Sequence, residues 1–182
     1  SFNMALIHEV NLLRRLAHKH GFLDGDAHGR DDVPDMGVQK AVLSVLKTTG
    51  ARTLMTIALT YTPDIQPRDA VTDLKWWLSL PLHLGLYVII LDFWFYWYHR
   101  AMHEVPFLWK YHRTHHLSKH PTPLLTAYAD EEQEIFDMVV IPFLTYAMLW
   151  AIGLPLGFYD WWICHQYIVY TEAWGHSGLR IY

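Results

Sequence analysis

Histidines concentrated between residues 92 and 120 give this chain its clearest chemical signal. Six of the thirteen histidines fall in that stretch, and five of them form two regularly spaced groups. The groups are His99-x-x-x-His103 and His112-x-x-His115-His116. Side chains three or four positions apart share one face of a helix, so each group can direct its imidazoles towards one locus. Because neutral imidazole is a good ligand for iron, zinc and copper, the spacing predicts a metal site.

A simpler interpretation makes these rings surface side chains that are solvated or hydrogen-bonded beside an aromatic helix. We favour metal binding because an HxxHH group eight residues after an HxxxH group is far more specific than a single HxxxH pair. Five imidazoles packed beside an aromatic run would repel one another if protonated, and burial also favours their neutral form. Metal coordination removes both difficulties.

Composition narrows the classes of protein that need to be considered. The chain has 182 residues, which is enough for one domain of ordinary size. Fourteen basic and eighteen acidic residues give a net charge of −4, so the chain lacks the basic balance of a nucleic-acid binder. One cysteine, Cys164, excludes an internal disulfide. The first twenty residues show no apolar core of a signal peptide.

Three apolar stretches predict the helices that position the histidines. Residues 78–98 match the hydrocarbon thickness of a bilayer, and they end in a Trp and Tyr cluster typical of a membrane interface. Residues 135–156 and 158–170 follow, separated by the GLPLG turn at 153–157. The return through the third stretch would bring His176 back beside the other histidines. We therefore predict an all-α integral membrane bundle with transmembrane hairpins.

The charged residues around the histidines predict on which side of the membrane the histidine region lies. The positive-inside rule predicts a cytosolic histidine region, because basic residues lie between the first two apolar stretches. These basic residues are Arg100, Lys110, Arg113 and Lys119.

The N-terminal region, residues 1–75, differs in character from the membrane domain predicted at 76–182. Residues 5–17 repeat apolar side chains at helical spacing, which predicts an amphipathic helix that lies on a membrane or packs on the domain. Residues 21–37 are rich in Gly and Asp and predict a loop, with His28 solvated in it. Residues 38–61 predict a half-buried or interfacial helix.

Two carboxylates are candidates for orienting ligand imidazoles. Asp92 lies seven residues before His99 on the same helical face, and it is expected to accept a hydrogen bond from a ligand ring, with a bond to a nearby Tyr or Trp as the alternative. Glu172 lies one helical turn before His176 and could orient it. His165 lies further up the same stretch, and a core position is its expected role.

An acidic run precedes the second apolar stretch. Soluble di-iron proteins use carboxylates as ligands, so the glutamates of this run are candidate ligands. We prefer a solvated helix N-terminus, where acidic side chains suit the helix dipole. The glutamates concerned are Glu131, Glu132 and Glu134.

The order DFWFYWYHRAMH, then LWKYHRTHH, then EAWGHSG resembles the fatty acid hydroxylase/sterol desaturase superfamily from about Trp76 onwards. The WGHSG piece looks most like the C4-methylsterol oxidase branch, and the whole is also similar to fungal members. The resemblance implies a multi-pass endoplasmic-reticulum oxygenase with a histidine-rich di-iron centre. It implies O₂ as co-substrate, and electrons from NADPH or NADH through cytochrome b5 or a reductase. The reaction would be hydroxylation, desaturation or oxidative demethylation of a lipid.

Carried over by position, the resemblance also implies a set of metal ligands. They are His99, His103, His112, His115, His116 and His176. The family has a final HxxHH box downstream of the HSG segment, and the sequence stops before it. We therefore expect these residues to be part of a longer protein, with the site incomplete in this stretch alone.

Two classes of function compete. The first is a di-iron lipid oxygenase. The second is a non-catalytic membrane protein that binds zinc structurally or serves as a partner subunit. A third interpretation keeps the oxygenase scaffold but changes the outcome, for example to aldehyde-to-alkane cleavage. Metal identity and the downstream sequence separate the first two.

Overall fold

Helices account for most of the chain that the computed structural model describes, which is residues 2–25, 38–117 and 120–180. The α-helices in these ranges are α1 (Phe2–His20), α2 (Val38–Thr60), α3 (Pro67–Thr72), α4 (Leu74–Glu104), α5 (Pro106–His112), α6 (Glu131–Ile135), α7 (Ile141–Ala151) and α8 (Phe158–Gly175). Two short 3₁₀ helices cover Arg113–Leu117 and Pro123–Ala127, and a π-helical turn, Phe136–Val140, joins α6 to α7. The predicted all-α class is confirmed. The predicted solvated His28 lies outside the described residues.

The helix α4 positions the first histidine pair. Asp73 precedes it, and its carboxylate accepts a hydrogen bond from the Lys75 backbone N–H at 2.9 Å, which caps the first turn. The 31 residues of α4 extend about 46 Å. The helix ends at Glu104 because Val105 precedes Pro106, and a residue before proline is forced out of the helical region. His99 and His103 therefore lie in the last two turns.

Among the residues that the structure describes, two helices are long and apolar enough to cross a membrane. They are α4, with mean hydropathy 1.7 over its most apolar window, and the continuous helix Glu131–Ala151, with 1.5. Only 22% and 28% of those windows are buried within the protein, whereas the core helix of a soluble protein is mostly buried. Much of both helices therefore presents apolar side chains outwards.

The core forms where α4, α7 and α8 meet. Trp161 is fully buried and stacks on Tyr146, with ring centroids 4.5 Å apart. His165 is also buried, and its ring packs against Trp161 and edge-on against Tyr87, so the predicted core position is confirmed. The buried cluster comprises Tyr87, Ile90, Leu91, Ile141, Leu149, Leu156, Trp161 and Cys164.

The turn between α7 and α8 reverses the chain as predicted. Gly153 has φ +81°, a left-handed conformation that favours glycine. Asp160, in the first turn of α8, accepts a hydrogen bond from the Gly157 N–H at 3.2 Å, and its other oxygen lies 3.2 Å from His83 Nδ1 on α4. This contact fixes α8 to α4 at the end opposite the histidines.

The N-terminal helices pack on the rest of the protein. Leu13 and Ala17 of α1 are fully buried, and α1 lies against α8. Backbone hydrogen bonds continue this contact, with the Leu23 N–H donating to Gly178 O and the Arg180 N–H to Gly21 O. Packing on the domain, which is one of the two alternatives for the amphipathic helix, is thus observed.

Replacing Gly157 should destabilise the turn. A Cβ atom there would lie 2.8 Å from Asp160 Oδ2, so Gly157→Ala must displace a carboxylate that holds both the turn and His83. We expect a loss of about 1–3 kcal/mol, measured as a lower thermal unfolding midpoint in detergent. Gly85→Ala is the matched control, because open space surrounds Gly85 within α4 and alanine favours a helix. Equal midpoints for the two variants would contradict this account.

Candidate metal centre

Four imidazoles converge at the end of α4. Their ligand atoms all lie within 4.8 Å of one another. Consecutive Nε2 atoms are 3.2 Å apart between His99 and His103, 3.2 Å between His103 and His112, and 2.8 Å between His112 and His116. We call these four residues the histidine cluster.

Local structure explains why these four rings meet. His99 and His103 are four residues apart on α4, and His112 and His116 are four apart across the end of α5 and the following 3₁₀ turn. The break at Val105 lets α5 turn back beside the end of α4. The Trp109 ring contacts one histidine of each pair, with its centroid 5.3 Å from that of His103 and 5.6 Å from that of His116.

The chemistry of the donor set fits a metal ion. Nitrogen ligands held 2.0–2.1 Å from a tetrahedral ion lie about 3.3 Å from one another, close to the observed spacings. Burial lowers the pKa of His112 to about 4, with the neighbouring imidazoles adding to the effect. Burial also lowers the pKa of His116, and His103 contributes. Lowering the pKa of His112 and His116 favours their neutral form, which is the form that binds metal.

Oxygen acceptors outside the cluster hold three histidines in one tautomer. Nδ1 of His112 lies 3.0 Å from Gln133 Oε1, and Nδ1 of His115 lies 3.1 Å from the carbonyl oxygen of Tyr128. Nδ1 of His176 lies 2.9 Å from the carbonyl oxygen of Glu172. An oxygen acceptor requires a proton on Nδ1, so the Nε2 lone pair is left for a ligand.

His115 and His176 form a second group beside the cluster. Their ring centroids are 5.4 Å apart, and neither belongs to the four-histidine set. Both line a cavity of about 190 Å³ together with His99. The structure thus brings all six predicted histidines to one end of α4, but it divides them into four and two.

Carboxylates line the same cavity. Arg52 of α2 is 5% exposed, and its charge interacts favourably with those of Glu134 and Glu172. The acidic side chains of the cavity are Glu134, Asp137 and Glu172.

The two predicted orienting carboxylates behave differently from expectation. Asp92 is exposed and has no hydrogen bond to a histidine of the described residues. Seven helical residues rise by about 10.5 Å, which is too far for direct contact with the His99 ring. Glu172 does hold His176, but through its backbone carbonyl, while its carboxylate faces the cavity.

The expected solvated helix N-terminus is only partly correct. Glu131 is partly exposed and pairs with Lys47 at 3.0 Å. Glu134 is 5% exposed and lines the cavity, because one helical turn carries it from the surface to the interior. Sequence reasoning also missed Gln133 and Asp137, whose four-residue spacing in an apolar helix was the available signal.

The turn that follows His176 is held by local hydrogen bonds and by a close contact with Pro121. Ser177 Oγ donates to the Trp174 carbonyl oxygen at 2.7 Å and accepts from the Leu179 N–H at 3.2 Å. Gly178 has φ +62°, and a Cβ atom there would lie 3.0 Å from Pro121. The glycine of the HSG motif therefore meets both a conformational and a steric requirement.

Comparison with known proteins agrees with this all-helical protein and its histidine centre. The fatty acid hydroxylase family profile matches residues 84–182. Fatty acid hydroxylase vlmA of Lecanicillium sp is 52% identical over the whole chain, which covers 50% of that relative. Human alkylglycerol monooxygenase is 28% identical over 86% of the chain and 34% of its own length. A tobacco (Nicotiana tabacum) delta(7)-sterol-C5(6)-desaturase is 40% identical over 22% of the chain and 16% of its own length. No solved structure matches the chain with significance.

The chain belongs to the fatty acid hydroxylase family. The resemblance noted in the sequence is thereby confirmed at the level of the superfamily. The relative that matches the whole chain is named a fatty acid hydroxylase and not a C4-methylsterol oxidase. The chain spans about half the length of that relative and a smaller share of the others.

Substituting Gly178 should loosen the connection between His176 and α1. Gly178→Ala forces a side chain into a left-handed conformation against Pro121, at a cost of about 1–3 kcal/mol. We expect faster hydrogen exchange at the Leu23 and Arg180 amides, which bond across this contact. Gly50→Ala, in open space on α2, is the control. Unchanged exchange in Gly178→Ala would contradict the assignment.

Proposed function

We propose that this chain is the histidine-rich part of a membrane-bound di-iron oxygenase that hydroxylates a lipid, with a fatty-acyl chain as the first candidate substrate. The observation that carries the proposal is the convergence of the histidine cluster with the His115–His176 pair, beside a carboxylate-lined cavity that His99 shares with that pair. The name of the relative that matches the whole chain supports a fatty-acyl substrate. Sterol desaturation or oxidative demethylation is the alternative on the same scaffold.

The proposed ligands are the six histidines described above. Iron bound there would supply O₂ reduction and oxidation of an unactivated carbon–hydrogen bond. Hydroxylation places one oxygen atom of O₂ in the product and releases the other as water, which requires two electrons and two protons from outside. We propose NADPH or NADH as the source, through cytochrome b5 or a reductase.

The protein's own side chains hold the ligands and restrict water. The rings of the cluster would supply lone pairs, and Gln133 fixes the tautomer of His112. The Tyr128 and Glu172 carbonyls do the same for His115 and His176. The aromatic run 93–98 immediately precedes His99, so an acyl chain approaching along α4 would meet an apolar surface. His103 and His116 are exposed, which leaves the cluster open on one side.

Membrane insertion is part of the proposal. The two long apolar helices would span the endoplasmic-reticulum membrane, with the histidines at its cytosolic surface, where the electron donors are. Residues 76–182 would form the oxygenase domain, and residues 1–75 would support it through the packing of α1 and α2.

Metal content of the purified protein tests the proposal directly. The full-length protein, prepared anaerobically with excess iron, should hold about two irons per chain. His112→Ala should lose bound iron, because His112 lies within 3.2 Å of two other cluster nitrogens. His8→Ala, which removes an exposed histidine of α1, should keep it. Iron-loaded protein given a reductant and O₂ should convert fatty-acyl lipids to hydroxylated products.

The outcomes separate the competing functions. Zinc, or no metal, in iron-replete protein would reject the oxygenase and favour a structural metal site or a partner subunit. Iron without any O₂-dependent lipid product would keep the metal assignment and reject the fatty-acyl substrate.

A further inference from the structure

Gln133 occupies an unusual place for an uncharged side chain. It is 4% exposed, and it lies on α6 between the most buried histidine and a carboxylate. Its Oε1 atom is 3.0 Å from His112 Nδ1, and its Nε2 atom is 3.1 Å from Asp137 Oδ2. The carbonyl end of the Gln133 amide therefore contacts His112, and the NH₂ end contacts Asp137.

The carboxylate determines which way the amide faces. The Gln133 NH₂ group donates a hydrogen bond to Asp137 Oδ2 at 3.1 Å, so this contact directs the NH₂ end of the amide towards Asp137. The carbonyl end must then face His112, and a carbonyl can only accept. His112 Nδ1 consequently carries the proton, and His112 Nε2 is left as a lone pair directed at His103 and His116.

The backbone places Asp137 for this contact. The π-helical turn Phe136–Val140 begins immediately after α6, and such turns are common at functional sites. Phe136, at the start of the turn, stacks on Tyr98 with ring centroids 5.2 Å apart and planes 10° apart. Tyr98 directly precedes His99, so the turn is fixed to the helix that carries half of the histidine cluster.

We infer that Gln133 is a positioning residue that holds His112 in its metal-binding tautomer and orientation, with Asp137 setting the direction of the Gln133 amide. The inference rests on the proposed metal site but not on the proposed substrate. Acceptors behind metal-bound histidines commonly contribute 10–100-fold in affinity. The same role explains why an amide is buried at the start of an apolar helix.

Three variants of the full-length protein test this role. Gln133→Leu keeps the volume but removes both hydrogen bonds. Gln133→Glu in its protonated form restores the pattern, because one oxygen accepts from His112 and the hydroxyl donates to Asp137. Thr145→Val is the control for a lost buried hydrogen bond. Thr145 is 0% exposed and donates a hydrogen bond to the Ile141 carbonyl oxygen. It lies about 18 Å from Gln133 along the same continuous helix.

The measurements are Co²⁺ affinity, by competition with a chromophoric chelator, and the visible absorption spectrum of the Co²⁺-loaded protein. We expect Gln133→Leu to bind Co²⁺ about 10–100-fold more weakly with an altered spectrum. Gln133→Glu should recover at least most of that loss. Thr145→Val should match the wild type in both measurements, whatever its thermal stability.

Several results would overturn the inference. One is wild-type affinity and spectrum in Gln133→Leu, and another is an equal loss in Thr145→Val. A Gln133→Glu variant no better than Gln133→Leu would reduce Gln133 to a packing residue. Failure of the wild type to bind any divalent metal would reject the inference together with the metal site. Normal Co²⁺ behaviour without lipid oxidation would reject only the proposed function.

Discussion

The close approach of four imidazole nitrogens is the constraint on which the rest of the structure depends. Imidazole nitrogens within 4.8 Å of one another are tolerated only when the rings are neutral or share a cation. The structure supports the neutral form by burying His112 completely, and the neighbouring imidazoles add to the effect. The two histidine pairs can approach this closely because the helix breaks at Val105 and α5 turns back beside the end of α4.

A polar layer surrounds that centre and is continuous with it. Arg52 from α2, Glu134 from α6 and Glu172 from α8 reach the same poorly solvated region from three helices. Polar groups buried together from three helices must satisfy one another, so this layer constrains how the helices pack. At the other end of α4, the contact between His83 and Asp160 supplies a second polar connection, so the apolar core lies between two polar ends.

The site lies at the ends of the two long apolar helices. The histidine pair of α4 lies in its last turns, and Gln133 and Asp137 lie in the first turns of the helix that runs on into α7. Neighbouring helices joined in this way place the end of one beside the start of the next. A chemical centre built there is close to solvent on one side and to an apolar surface on the other, as the exposure of His103 and His116 shows.

The sequence by itself determined the helical class, the apolar stretches, the reversal at 153–157 and the identity of the histidines. These follow from local rules, since hydrophobic length, proline breaks and four-residue spacing act within one segment. Only the tertiary structure decided how the histidines are divided, because His115 and His176 are sixty-one positions apart and meet through the α7–α8 hairpin. It also decided that Asp92 is exposed while Glu134 is buried. Two carboxylates in similar apolar surroundings look alike in sequence, and which one faces the interior depends on the helices that pack against it.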